Sequence, residues 1–134
     1  MTVIPPAATP QAPISWGELI DKITILEIKT VRLPTAEARA NALTELSLLQ
    51  GIAGPVLRDA GVEVLAMQLK VLNERLWEVE DRIRDCERAG DFGAGFVELA
   101  RSVYRHNDER GALKRQINLA LGSRLIEEKS YAPY

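Results

Sequence analysis

The chain holds one cysteine and one histidine among its 134 residues. Cys86 therefore cannot close an intrachain disulfide, and Cys and His are too few for a zinc site of the usual kind, so neither a metal nor another cofactor is called for. A free thiol fits a reducing compartment. Aromatic residues make up only 5% of the chain. No run approaches the ~18 uninterrupted apolar residues that would span a bilayer. Charge of one sign is lacking as well: 17 Lys+Arg stand against 19 Asp+Glu, a formal net charge of -2. Such a balance builds no basic field to gather phosphates or anionic lipid, which argues against nucleic acid and membrane as partners. Seven prolines are present. Four of them lie in the opening MTVIPPAATPQAP, which has no Lys or Arg and reads as a flexible leader over residues 1–14 rather than a signal peptide. These absences point to a soluble cytoplasmic protein.

What is present is helical periodicity. A hydrophobic content of 46% and a charged content of 27% match an ordinary globular chain, and a chain of this length fits one domain. Ser15-Trp16-Gly17-Glu18 carries the capping-box pattern that starts a helix. Leu19, Ile23, Leu26 and Leu33 form one stripe, widened by Ile20, Ile25, Ile28 and Val31, so helix one is expected to be covered on more than one side. That breadth forces a charged group toward a helix boundary, with Asp21 and Lys22 the choices, while Glu18 and Lys22 are spaced as an i, i+4 ion pair. Pro34 ends the helix. Thr35 caps a second, about Ala36 to Gln50, which Gly51, Gly54 and Pro55 are expected to stop.

From Val62 onward, Val62, Leu65, Leu69, Leu72, Leu76, Val79, Ile83 and Cys86 alternate spacings of three and four, a heptad seam. The Gly-rich segment 90–95 breaks it. A fourth helix, about Phe96 to Gly122, continues with Phe96, Leu99, Val103, His106, Arg110, Leu113, Ile117 and Ala120. The short connection predicts an antiparallel hairpin that sets Leu65 near Ile117 and brings Arg110 level with Leu72 and Asn73. The expected fold is all-α: a four-helix bundle built on a long antiparallel helical hairpin, forming a single helical domain over 15–126, with a C-terminal tail over 127–134 that frays or docks as a strap.

Two residues of the fourth seam are polar, His106 and Arg110, inside the block Arg105-His106-Asn107-Asp108-Glu109-Arg110-Gly111. One reading has the helix bend or restart there, with Asn107 or Asp108 as a cap and the charges solvated. The other takes Asn107, Arg110, Lys114 and Asn118, spaced three, four and four, as a row suited to an anion. Asn73, Trp77, Glu80 and Arg84 form a similar stripe on the facing helix. The candidate ligand-binding residues are thus Asn73, Trp77, Glu80, His106, Asn107, Arg110, Lys114 and Asn118. If the layer is instead structural, Glu74 or Glu80 is the acid expected to meet Arg110. Trp77 beside a seam is also an ordinary packing residue. Ser102 lies one turn before His106, but no nucleophile motif accompanies the pair. No residue is therefore assigned a catalytic role.

The wording SWGELIDKITILEIK, LWEVEDRIRDCE, ARSVYRHNDERGALKRQIN and GSRLIEEKSYA resembles a bacterial family of short helical proteins of unknown function, over nearly everything after residue 14. That resemblance implies a stand-alone domain and carries no catalytic roles. ELIDKITILEIKTVRL is also faintly similar to the first helix of the all-helical chorismate mutases, in which basic side chains surround a dicarboxylate; the arginine usual early in that helix is missing between Ser15 and Asp21. Two functional expectations follow. One is a non-enzymatic interaction or assembly module, a homodimer or a binder of a protein partner. The other is a binding or catalytic domain holding an anionic small molecule in the polar layer.

Overall fold

The computed structural model describes residues 8–134, so the first half of the expected leader, residues 1–7, lies outside the described residues, and positions 8–14 are exposed. Among the described residues the chain is all-α, with four helices: α1 Trp16–Arg32, α2 Ala36–Leu57, α3 Ala60–Ala89 and α4 Ala94–Ala120. Local signals set most of the boundaries. The Ser15 hydroxyl accepts from the Glu18 N–H at 3.1 Å, and the Thr35 hydroxyl accepts from the Ala38 N–H at 3.1 Å. Leu33, ahead of Pro34, is extended and ends α1. Asp59 caps α3 through the Val62 N–H, which starts that helix two residues before the apolar seam. Gly90 closes α3 at φ 65°, a left-handed conformation in which a side chain would be strained.

α2 does not stop at Gly51, Gly54 or Pro55 but runs on to Leu57. Proline in a helix removes one hydrogen bond and crowds the carbonyl four residues earlier. Here tertiary packing outweighs that cost: Ala53 is fully buried, and Val56 and Leu57 pack against both apolar clusters.

α1 is the shared element. Leu19, Ile23 and Leu26 pack on Ala42, Leu46 and Ala53 of α2, while Ile20, on another side of the same helix, joins Val62 and Leu69 of α3 and Ile117 of α4. Coverage on more than one side is therefore observed. α3 and α4 form the expected antiparallel hairpin, with α1 laid against one face. The N-terminal end of α1 meets the C-terminal end of α4 through Gly17 and Asn118, and its last turn reaches Glu78 of α3 through Arg32 at 3.3 Å. Beyond that level α1 no longer covers the hairpin. Leu69 and Leu72 are buried accordingly, whereas Leu76 and Val79, on the same seam, are only half-buried.

α4 is continuous through residues 105–111, so the polar block causes no break. The tail docks on α4: Glu127 reaches Lys114, Glu128 lies 3.4 Å from Arg115, and the Tyr134 hydroxyl donates to Asp108 at 2.5 Å. Tyr134 also packs edge-on against Tyr104, with centroids 5.2 Å apart.

Candidate functional site

The row Asn107, Arg110, Lys114 and Asn118 lies on the side of α4 that faces α1, and α1 meets it with carboxylates. Asp21 is 1% exposed. Arg110 grips it with two parallel bonds, Nε to Oδ1 at 2.9 Å and Nη2 to Oδ2 at 2.5 Å, the fork geometry that makes such pairs strong and directional. The Asn73 amide donates to Asp21 Oδ1 and to the Thr24 hydroxyl, each at 2.9 Å. Thr24 in turn donates to the Asp21 carbonyl at 2.8 Å, and Asn107 Oδ1 accepts from Arg110 at 3.4 Å. One carboxylate from α1 thus ties α3 to α4. The acid is neither Glu74 nor Glu80, the two expected from the hairpin itself.

Toward the start of α1, Lys114 is buried, and its ammonium donates to Glu18 at 2.6 Å and to Glu127 of the tail at 2.9 Å. Glu18 therefore does not pair with Lys22, which reaches Glu45 of α2 at 3.7 Å; of the two residues expected at a helix boundary, Asp21 is buried there and Lys22 lies at the exposed edge between α1 and α2. Asn118 Oδ1 accepts from the Gly17 N–H at 2.7 Å, and Ser123 accepts from Trp16 at 3.3 Å, which satisfies donors at the start of α1 that have no partner within the helix. Gly17 permits the approach: a Cβ there would lie 2.4 Å from the Lys114 carbonyl oxygen.

Electrostatics agree with this geometry. The hydrogen bond from Arg110 to Asp21 raises the guanidinium further above its ordinary value. For Lys114, burial opposes the charge, but hydrogen bonds to Glu18 and Glu127 prevail and hold the ammonium above its ordinary value. Glu127, bonded to Lys114, is held below the usual carboxylate value.

The other candidates separate. Asn73, Trp77, Glu80, Asn107 and Arg110 share a cleft of about 450 Å³, bounded on the α1 side by Ile25 and Ile28. Glu80 lies 3.9 Å from Arg84 on its own helix. Lys114 and Asn118 stand nearer the C-terminal end of α4, and His106 belongs to neither group; its buried Nδ1 has no hydrogen-bond partner among the described residues. Ser102 donates to the Leu99 carbonyl rather than to His106. Among the described residues there is no group of three or more His, Cys, Asp or Glu able to hold a metal ion, and no helix is long and apolar enough to cross a membrane. The residues that complete the layer but were not candidates are Glu18, Asp21, Thr24 and Glu127. The unusually broad apolar face of α1 signalled Asp21; nothing local signals Thr24 or Glu127.

A model for a family of unknown function, DUF6165, matches residues 11–133. The chain belongs to that family. No curated protein and no solved structure gives a match. Membership covers the four helices and the docked tail together, and it assigns no chemistry to the polar layer.

Proposed function

We propose that this DUF6165 protein is a non-enzymatic helical interaction module, in which the polar layer holds α1 on the hairpin and the uncovered side of the hairpin receives a helical partner. The observation carrying this reading is the contrast between the two sides. On the α1 side every cation of the layer has a carboxylate of the chain itself as partner. On the opposite side Val64, Met67 and Val71 of α3 are 52%, 62% and 48% exposed along one groove. Exposed apolar side chains gathered in a groove and rimmed by polar ones mark interaction surfaces. The working unit would be the helical domain 15–126 with the tail as its clamp, in a reducing cytoplasmic compartment suited to the free Cys86.

The alternative, an anionic metabolite held in the layer, is favoured by one fact: five of the eight candidate residues share a cleft of ligand-pocket size. Against it, a dicarboxylate of the kind that chorismate mutases bind would have to displace Asp21 from Arg110, or Glu18 and Glu127 from Lys114.

A thermal-shift screen against anionic metabolites separates the readings. A ligand at a hundred times its dissociation constant adds about 2.7 kcal/mol, which at this chain length raises the melting temperature by about 5 °C or more. The module reading expects no such shift. It also expects Met67→Glu and Val71→Glu to change the stability of the isolated chain by less than about 0.5 kcal/mol, as at ordinary surface sites. A metabolite shift that Trp77→Ala, a change in the wall of that cleft, removes would replace this reading with the ligand one.

A further inference from the structure

The open face of the hairpin has an order along its length. Asn73 and Arg110 meet at Asp21 and so mark one level of the antiparallel pair. Stepping from that level along both helices sets Val64 level with Leu119, Val71 with Ala112, and Arg75 with Asp108, one residue from Glu109. Leu119 is 62% exposed, and Ala112 is small enough for a helix to approach closely. Arg75 and Glu109 stand on opposite walls at the same end of a groove of about 680 Å³. Neither has an ion-pair partner among the described residues. The face is therefore largely apolar along the middle, where Gln68 and Gln116 are its uncharged polar members, and apolar at one end, with one unpaired cation and one unpaired anion on opposite walls at the other end.

From this arrangement we infer that the helical partner is a second copy of the chain, related by a twofold axis that lies in the face and runs along the helices. This inference rests on the interaction-module reading. A twofold interface must be self-complementary, each contact occurring twice. An axis along the helices places α3 over the partner's α4 at the same level. Arg75 then meets the partner's Glu109, Val71 meets the partner's Ala112, and Val64 meets the partner's Leu119, with the reciprocal contacts equally matched. An axis across the helices would reverse the levels and set Arg75 on the partner's Val64, burying a guanidinium against an apolar wall without an acid. Charge complementarity thus selects one arrangement, a central four-helix bundle made of two hairpins.

Surface area agrees with it. The chain presents 9421 Å², roughly a third above the about 7000 Å² of a compact monomer of its mass. The exposed segments 8–14 and 124–134 supply part of that excess. A standard interface requires only about 800 Å² per partner.

Sedimentation equilibrium of the full chain across the micromolar range, combined with charge exchange, tests the proposal. The parent protein should show a dimer–monomer equilibrium. Arg75→Glu and Glu109→Arg, each confirmed by circular dichroism to remain folded, should each raise the dimer Kd about tenfold or more by setting like charges together. The doubly exchanged variant should return to within about threefold of the parent, because both contacts are restored with their signs reversed. A parent chain that is monomeric throughout overturns the second-copy inference and leaves the module reading standing, since that reading fails separately, on a metabolite shift lost in Trp77→Ala. A dimer indifferent to both single exchanges overturns the proposed face and axis.

Discussion

Arg110 and Asp21 lie 89 positions apart in the chain, and the guanidinium of one closes on the carboxylate of the other through two bonds, at 2.9 and 2.5 Å. The carboxylate is buried and also accepts from Asn73, so this contact joins α1, α3 and α4 at a single point. Around that point the molecule divides into a side closed by its own charges and a side left open.

Removing the guanidinium should strand a buried carboxylate. Arg110→Ala is expected to cost about 3 to 5 kcal/mol, the range for breaking one partner of a buried pair. Arg110→Lys should cost less but still destabilise, because an ammonium cannot reproduce the fork. Urea melts measure both; a loss below about 1 kcal/mol for Arg110→Ala would show that Asp21 gains water readily and that the layer does not hold α1 in place.

Gly17 should tolerate no side chain. A methyl group would meet the Lys114 carbonyl oxygen at 2.4 Å, and helix backbone at that site cannot move aside without also disturbing the Gly17 to Asn118 bond. Gly17→Ala is expected to lose about 1 to 3 kcal/mol by overpacking, despite alanine's better helix propensity. Calorimetry showing equal or higher stability would mean that α1 and α4 can separate at this end without loss.

The two halves of the α3 seam should respond differently to the same truncation. Leu69→Ala empties a fully buried site and should cost about 2 to 5 kcal/mol. Leu76 is half-buried where α1 leaves the hairpin, so Leu76→Ala should cost clearly less. Equal losses in denaturant melts would indicate that the distal hairpin is covered in solution, which a dimer extending beyond Arg75 would achieve.

The docking of the tail should fail in acid. Hydrogen bonding to Lys114 holds Glu127 below its ordinary value. Its contribution is thus present above the unfolded carboxylate pKa of about 4.3 and lost as pH falls through the lower folded value. Lys114, raised above its ordinary value by Glu18 and Glu127 against the effect of burial, keeps its contribution below about pH 10.4, the unfolded value, and loses it only as pH rises through the folded one. Protease cleavage within residues 124–134 should therefore accelerate below about pH 4, and Glu127→Gln should remove most of that pH dependence. A cleavage rate unchanged between neutral pH and pH 3, with a pH-insensitive protease, would refute it.

Where α1 and α2 begin, where α1 ends and how the hairpin is registered could be read in the chain because these depend on neighbours in sequence. Ser15 and Thr35 cap through bonds three residues away, Pro34 acts on Leu33, and a short Gly-rich connection leaves α3 and α4 little choice of level, so Asn73 and Arg110 meet as their spacing requires. The row Asn107, Arg110, Lys114 and Asn118 was legible as a single face for the same reason. What that face meets was not. Asp21, Glu18 and Glu127 reach it from another helix and from the tail, and an ion-pair partner is chosen by the docking angle of α1, which no local pattern encodes. Tertiary packing likewise carried α2 through Pro55, since burial of Ala53 and Leu57 outweighs a local cost. It also decided that a seam regular from Val62 to Cys86 is buried at Leu69 and half-exposed at Val79, because periodicity states which side of a helix is apolar, whereas only the length and path of α1 determine how far that side is covered.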